Sequence, residues 1–226
     1  MIMIKNILFD IDGTLFPTNE FAELARRKAI RAMIRMGLKA NEEELYKRLI
    51  QIIRKKGPNY SKHFDVLCRS LNSKSSSKFV AAAVAAYHDT KMSIQPYPEV
   101  PNMLLALRDS GYSLYVATNG DSVKQWDKLI RLGIALYFND VFVSSDLKEE
   151  KGVRFYKKIL KRLKADAAEC FMVGDREDAD IIPAKEIGMR TIRVRKGKYS
   201  EGATVADFEV SELGKITDIM KRLKTH

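Results

Sequence analysis

Asp10-Ile11-Asp12-Gly13-Thr14 sets two carboxylates one residue apart, directly after the mostly apolar run 4–9. A glycine-bearing turn at that point can aim both groups from the end of a strand. One carboxylate is a competent nucleophile toward phosphorus, forming an acyl phosphate that divides a hydrolysis into two easier steps. Its neighbour can protonate the departing oxygen and then activate water. Taken alone, the pair also reads as an ordinary acidic turn. Its meaning depends on what the rest of the chain brings to it.

Three further segments carry matching chemistry. Thr118-Asn119-Gly120 follows the apolar run 114–117, and a hydroxyl beside exposed backbone N–H groups can hold phosphate oxygens. Lys151 stands just ahead of a helix, where a compact ammonium can neutralise charge on a transferring phosphoryl group. Lys148 lies close by and is the alternative. Gly174-Asp175-Arg176-Glu177-Asp178-Ala179-Asp180 follows the run 170–173. Its acidic oxygens suit a hard cation such as Mg2+, which takes few carboxylates beside water and phosphate. Asp175 is the candidate for the metal, while Glu177 and Asp178 suit the positive end of a helix.

These segments need a scaffold that brings distant parts of the chain together. The run 4–9 reads as a buried strand. From about residue 19 to 91 the pattern is helical almost throughout. Phe21, Leu24, Ala25, Ala29, Ala32, Met33 and Met36 keep helical spacing, with Gly37 as the stop. Asn41 and Glu44 resemble a capping box for a second helix, which ends near Gly57-Pro58. Two more helices are expected over 62–71 and 78–88, with the serine-rich segment 73–77 as a polar loop between them. Met33 and Met36 are expected to pack in this segment's own core.

Gln95-Pro96-Tyr97-Pro98 marks a linker, and the pattern then changes. Strands at 114–117, 141–143, 170–173 and 191–194 alternate with helices at 103–107, 155–163, 182–187 and 213–223. Val123, Trp126 and Ile130 mark another amphipathic helix. Alternation of this kind predicts a parallel sheet with helices on both faces. The expected fold is therefore α/β: a Rossmann-like three-layer core with a central parallel sheet, built from residues 1–16 and 96–226. An α-helical cap is expected at 17–95. Open parallel sheets place ligands at the carboxyl ends of their strands, where the four segments fall.

Composition narrows the class further. The chain has 226 residues, 46% hydrophobic and 31% charged, which is the range of globular rather than disordered chains. No apolar run approaches the roughly 18–20 residues that cross a bilayer. The N-terminal run has neither the long apolar stretch nor the cleavage site of a signal peptide. Cys68 and Cys170 lack metal-ligand spacing, and two cysteines in a chain of 226 residues fit buried thiols in the cytoplasm. The net charge of +11 is spread over several helices without interleaved aromatics, so a solvated basic surface is expected rather than nucleic-acid binding. Such an envelope favours phosphorylated substrates.

In order and strand context, Asp10-x-Asp12-Gly-Thr, Thr118-Asn119-Gly120, Lys151 and Gly174-Asp175-x4-Asp180 resemble the haloacid dehalogenase superfamily over essentially the whole chain. The resemblance implies Asp10 as nucleophile and metal ligand, and Asp12 as acid/base with its backbone carbonyl on the metal. It implies Thr118 and Lys151 as phosphate binders assisted by Asn119, Asp175 as the remaining protein metal ligand, and Asp180 as a residue supporting the site. The cofactor implied is Mg2+. Aspartate at position 12 is the mark of the phosphatase and phosphomutase branches.

The helical segment is similar to that family's mobile cap, which closes over substrate. Closer likeness, in Phe21-Ala22-Glu23-Leu24-Ala25-Arg26, Ala86-Tyr87-His88-Asp89-Thr90-Lys91 and Val123-Lys124-Gln125-Trp126, runs to archaeal members that dephosphorylate a triose phosphate. One departure is plain: the family carries Lys-Pro-x-Pro, whereas Lys151 is followed by Gly152-Val153-Arg154. The expectation is a phosphatase of small phosphate monoesters, its substrate a triose, sugar or nucleoside monophosphate, as a monomer or homodimer with no membrane partner. A phosphomutase and a catalytically weakened member with a binding role are the alternatives. His63 and His88 are candidates by chemistry alone for contacts to the leaving group.

Overall fold

The computed structural model describes residues 4–57, 60–71 and 76–225. Strand β1, Asn6–Phe9, is buried at every position. Four helices follow: α1 (Thr18–Arg35), α2 (Glu42–Lys56), α3 (His63–Ser70) and α4 (Ser76–Lys91). The chain then runs α5 (Val100–Asp109), β2 (Ser113–Thr118), α6 (Ser122–Arg131), β3 (Asp140–Val143), α7 (Ser144–Leu147), α8 (Val153–Leu163) and β4 (Cys170–Gly174). It ends with α9 (Ile182–Glu186), β5 (Arg190–Val194), β6 (Phe208–Val210) and α10 (Lys215–Thr225). Two compact units result, one of Met1–Asn19 with Gln95–His226 and one of Glu20–Ile94.

The first unit is an α/β fold, as expected. Its six strands pair in the order β3-β2-β1-β4-β5-β6, and every pairing is parallel. Parallel strands buried on both faces read as nearly unbroken apolar runs. The sequence NILF followed by Asp10, and CFMV followed by Gly174, are of that kind. Leu8, Ala117 and Met172 join Phe155, Tyr156, Ile159 and Ala184 in one buried cluster. The alternate residues Ile7, Phe9, Val116, Phe171 and Val173 are buried as well.

The second unit is helical and has its own core. Ala29, Ile30, Met33, Leu45, Leu49, Leu67, Phe79 and Ala83 form it. Met33 packs there as expected, but Met36 is 45% exposed, because it falls past the last turn of α1. Asn41 caps α2, its side chain accepting from the N–H groups of Glu43 and Glu44. The reciprocal half of the expected box is absent, since Glu44 instead pairs with Arg48 one turn on. Gly57, at φ +83, follows the last turn of α2, while Pro58 lies outside the described residues. Of the expected serine loop, 73–75 also lie outside them, and Ser76 and Ser77 already belong to α4.

His63 Nε2 lies 2.9 Å from the carbonyl of Gly57 and the ring packs edge-on to Tyr60, which is a packing role. His88 is exposed on α4. Among the described residues no helix is long and apolar enough to cross a membrane.

Candidate active site

From β1 the sheet grows one way through β2 and β3 and the other way through β4, β5 and β6. Helix connections leaving in opposite directions open a crevice at such a switch point. Asp10 follows β1 there, its N–H donating to Val173 O at 2.9 Å. Thr118 closes β2, and Asp175 follows Gly174 at the end of β4. Residues more than a hundred positions apart in sequence thus meet at one edge.

Local turn chemistry aims them. The carbonyl of Ile11 accepts from the N–H groups of Thr14, Leu15 and Phe16 at 3.3, 3.0 and 3.1 Å, which folds the chain back on itself. Gly13 holds φ +86, and a Cβ added there would overlap Asp175 Oδ2. Only glycine satisfies both conditions.

Asp10, Asp175 and Asp180 each offer a carboxylate oxygen, and the three oxygens lie within 4.8 Å of one another. Lys151 Nζ donates to Asp10 Oδ1, and to Asp180 Oδ1 at 2.6 Å. Asp180, fully buried, also accepts from Arg176 N at 3.1 Å and from Tyr156 OH at 3.4 Å. Asn119 accepts from the backbone N–H of Lys151 at 2.8 Å and so orders the segment that presents the lysine. Gln125 in turn donates to Asn119 O at 2.8 Å. Lys148 stands elsewhere: it is exposed and ends α7 in a left-handed conformation at φ 50.

Crowding three carboxylates in a buried place has an electrostatic cost. Burial pushes Asp10 up to about 7, with Asp180 and Asp12 adding to the rise and Lys151 opposing it. Burial likewise pushes Asp175 up to about 8, with Asp10 and Asp180 adding to the rise. Burial works against the charge of Lys151, yet Asp10 and Asp180 raise it well above the ordinary lysine value. Asp175 Oδ1 is buried without a hydrogen-bond partner. Three converging carboxylates, one of them with a buried oxygen left unpaired, are a donor set for a hard dication, so these residues fit one.

Asp12 has a different setting. Its Oδ1 accepts from Thr18 Oγ1 at 2.6 Å, and Lys128 Nζ donates to both of its oxygens at 2.6 Å. Burial alone would raise this carboxyl, but Lys128 and Thr18 bring it below the ordinary aspartate value.

Thr18, Lys128 and Tyr156 were not singled out in the sequence. For Lys128 the signal was obscured by Val123, Trp126 and Ile130, which mark the helix as amphipathic. Val123 and Ile130 are 76% and 65% exposed, and the buried positions of α6 are Gln125 and Leu129. Polar residues at 125 and 128, immediately after Thr118-Asn119-Gly120, are the trace of a helix whose working face serves the site.

The site is thus a cluster of carboxylates with a buried lysine at the switch point of a doubly wound parallel sheet. The chain belongs to the haloacid dehalogenase-like hydrolase family, whose pattern matches residues 4–188. It is 44% identical over 98% of its length to a glyceraldehyde 3-phosphate phosphatase of Methanopyrus kandleri, covering 99% of that protein. The identity and coverage are the same for a glyceraldehyde 3-phosphate phosphatase of Methanocaldococcus jannaschii. Among solved structures, an HAD phosphatase from Thermococcus onnurineus matches with a TM-score of 0.69 at 24% identity, over 96% of this chain and 98% of that one. The resemblance read from the four motifs is borne out.

Proposed function

We propose that this chain is a Mg2+-dependent phosphatase of small phosphate monoesters, a triose phosphate foremost, acting through an aspartyl-phosphate on Asp10. The observation that carries the reading is the placement of Asp10 and Asp12 at the switch point, with Lys151 on the first and Lys128 on the second. Similarity to glyceraldehyde 3-phosphate phosphatases along nearly the whole chain supports the triose phosphate.

In the first step a carboxylate oxygen of Asp10 forms a bond to phosphorus while the ester P–O bond breaks. The leaving oxygen takes a proton that Asp12 binds in the substrate complex, where the negative charge of the phosphoryl group offsets the Lys128 ammonium that keeps this carboxyl ionised in the free site. In the second step Asp12 takes a proton from water, whose oxygen bonds to phosphorus as the bond to Asp10 breaks. Inorganic phosphate and free Asp10 result. Lys151 neutralises charge on the phosphoryl group, with Thr118 holding one of its oxygens. Asp10, Asp175 and the backbone carbonyl of Asp12 would hold Mg2+, which supplies further neutralisation of phosphoryl charge. Asp180 keeps Lys151 in place.

The test is a panel of phosphorylated metabolites and an aryl phosphate with Mg2+ present. Hydrolysis of a triose phosphate, lost with EDTA and restored by Mg2+, is the expected result. Activity indifferent to EDTA would exclude this mechanism, and transfer of phosphate between positions of one sugar would favour a mutase.

A second expectation concerns pH. Asp10 and Asp175 have folded-state values of about 7 and 8, above the ordinary 3.8, so the metal-free folded chain binds more protons than the unfolded one. The stability tied to those protons is complete below pH 3.8 and is lost as pH rises through about 7 to 8. A dication takes the place of the protons. The rise in melting temperature on adding Mg2+ should therefore be larger at about pH 8.5 than at about pH 5.5. Thermal denaturation at both pH values checks this, and an equal rise at the two would count against the assignment.

A further inference from the structure

Gln125 is buried near the start of α6, where a side chain that only filled space would be apolar. Its Nε2 donates to Asn119 O at 2.8 Å, while its Oε1 is buried without a partner. An unpaired buried amide oxygen carries a desolvation cost that a methionine of similar size would not. The useful part of this side chain is therefore its N–H. A Cβ on Gly120 would come within 2.9 Å of Nε2, so the turn after β2 has room for the amide only because a glycine stands there.

Among the described residues Asn119 O has one other donor, Thr118 Oγ1 at 3.4 Å, which is long for a hydroxyl. A hydroxyl has one proton to give. Given to Asn119 O, it is not available to a phosphate oxygen. With Gln125 in place, the carbonyl stays paired when the Thr118 hydroxyl turns away. Without Gln125, the same rotation leaves a carbonyl enclosed between two buried side chains with no donor. The next peptide is held independently of α6. Gly120 N donates to Ser144 Oγ at 2.9 Å, and Gly120 O accepts from Ser145 N at 3.3 Å. Asn119 O is the part of the turn that depends on Gln125.

From this geometry we infer that Gln125 is a positioning residue for phosphate binding: by donating to Asn119 O, it frees the Thr118 hydroxyl for an oxygen of the phosphoryl group. The inference deepens the proposed phosphatase reading and rests on it. Gln125 touches no reacting atom in this role and acts through Thr118.

Inorganic phosphate competing with 4-nitrophenyl phosphate, with Mg2+ present, reads the role directly. Gln125→Met should raise the inhibition constant of phosphate and lower kcat/KM, each by about 10-fold. Its melting temperature should stay near that of wild type, because the unpaired Oε1 goes together with the donor. Gln125→Glu keeps size and polarity but loses the amide donor, so its losses should be at least as large. Thr118→Val should raise the inhibition constant by about 30-fold, and adding Gln125→Met to it should raise it by less than about threefold more, because the two residues act as one unit.

A lower kcat with KM and the phosphate inhibition constant unchanged would mean only a smaller folded fraction and would overturn the inference. Losses that multiply in the double variant would overturn it as well. If the wild-type chain shows no Mg2+-dependent hydrolysis of 4-nitrophenyl phosphate, or if Asp10→Asn retains it, the phosphatase reading itself fails and the inference with it.

Discussion

Asp10→Asn is expected to reduce Mg2+-dependent hydrolysis of an aryl phosphate by at least about 10³-fold while leaving the chain folded. The substitution changes one atom at a buried position, so packing at the end of β1 is kept. It removes the nucleophile outright, because an amide neither attacks phosphorus usefully nor departs as a carboxylate. The amide carbonyl still accepts from Lys151, so the lysine keeps a partner. The amide is also neutral at every pH. Burial and neighbouring carboxylates raise Asp10 to about 7, so above that pH the variant escapes a charge the native chain must bury. Metal-free Asp10→Asn should therefore melt no lower than wild type at about pH 8. Steady-state kinetics and a melting curve on the same preparation decide the matter. Residual activity above about one per cent of wild type, with the fold intact, would remove Asp10 from the nucleophile's role.

That Asp10 is readable at all from sequence comes from its context. An apolar run that ends in Asp-x-Asp-Gly has few ways to fold other than a buried parallel strand turning sharply at a glycine. Asp12 followed by Gly13 at φ +86 is that turn. Asp175 is legible for the same reason, at the end of the apolar run 170–173. What the sequence hid were contacts set by helix rotation and by short irregular pieces. The buried face of α6 carries Gln125 and Leu129, and exposure of Val123 and Ile130 reverses what an apolar stripe usually signals.

The acidic segment after β4 was expected to serve a helix directly. It forms a π-helical turn, Glu177–Ile181, ahead of α9, and this wider turn brings Asp180 back to Arg176 N. Gly174 makes room, since a Cβ there would collide with the Asp180 side chain. The strand β6 escaped notice because Phe208–Val210 is three residues long and only Val210 is buried. Short edge strands owe their form to a neighbour already in place, here β5, more than to their own pattern.

The same distinction bears on the two lysines, which sequence alone left as alternatives. Lys151→Met is expected to lower kcat/KM for phosphate esters by about 10²- to 10³-fold, whereas Lys148→Ala should change it by less than about twofold. Gly152-Val153-Arg154 follows Lys151 where the resemblance would place Pro-x-Pro, so proline stiffness is not what presents Lys151. Asn119 takes over that part by accepting from the Lys151 N–H, and Asp180 receives the ammonium.

The Lys151 side chain is 4% exposed between carboxylates that are 8% and 0% exposed, so its removal strands two buried acids. Breaking a buried pair of this kind costs about 3–5 kcal/mol when the remaining charge is not neutralised. Protons can neutralise it, and Asp10, already raised to about 7, takes one readily at low pH. The loss of stability in metal-free Lys151→Met should therefore be small near about pH 5 and grow toward about pH 8. Lys148→Ala keeps a Cβ at the same left-handed position and removes only an exposed charge, so its melting curve should follow wild type at both pH values. Equal kinetic losses in the two variants would remove Lys151 from the phosphate-binding role, and a pH-independent loss of stability in Lys151→Met would show that Asp10 does not depend on Lys151 for its charge.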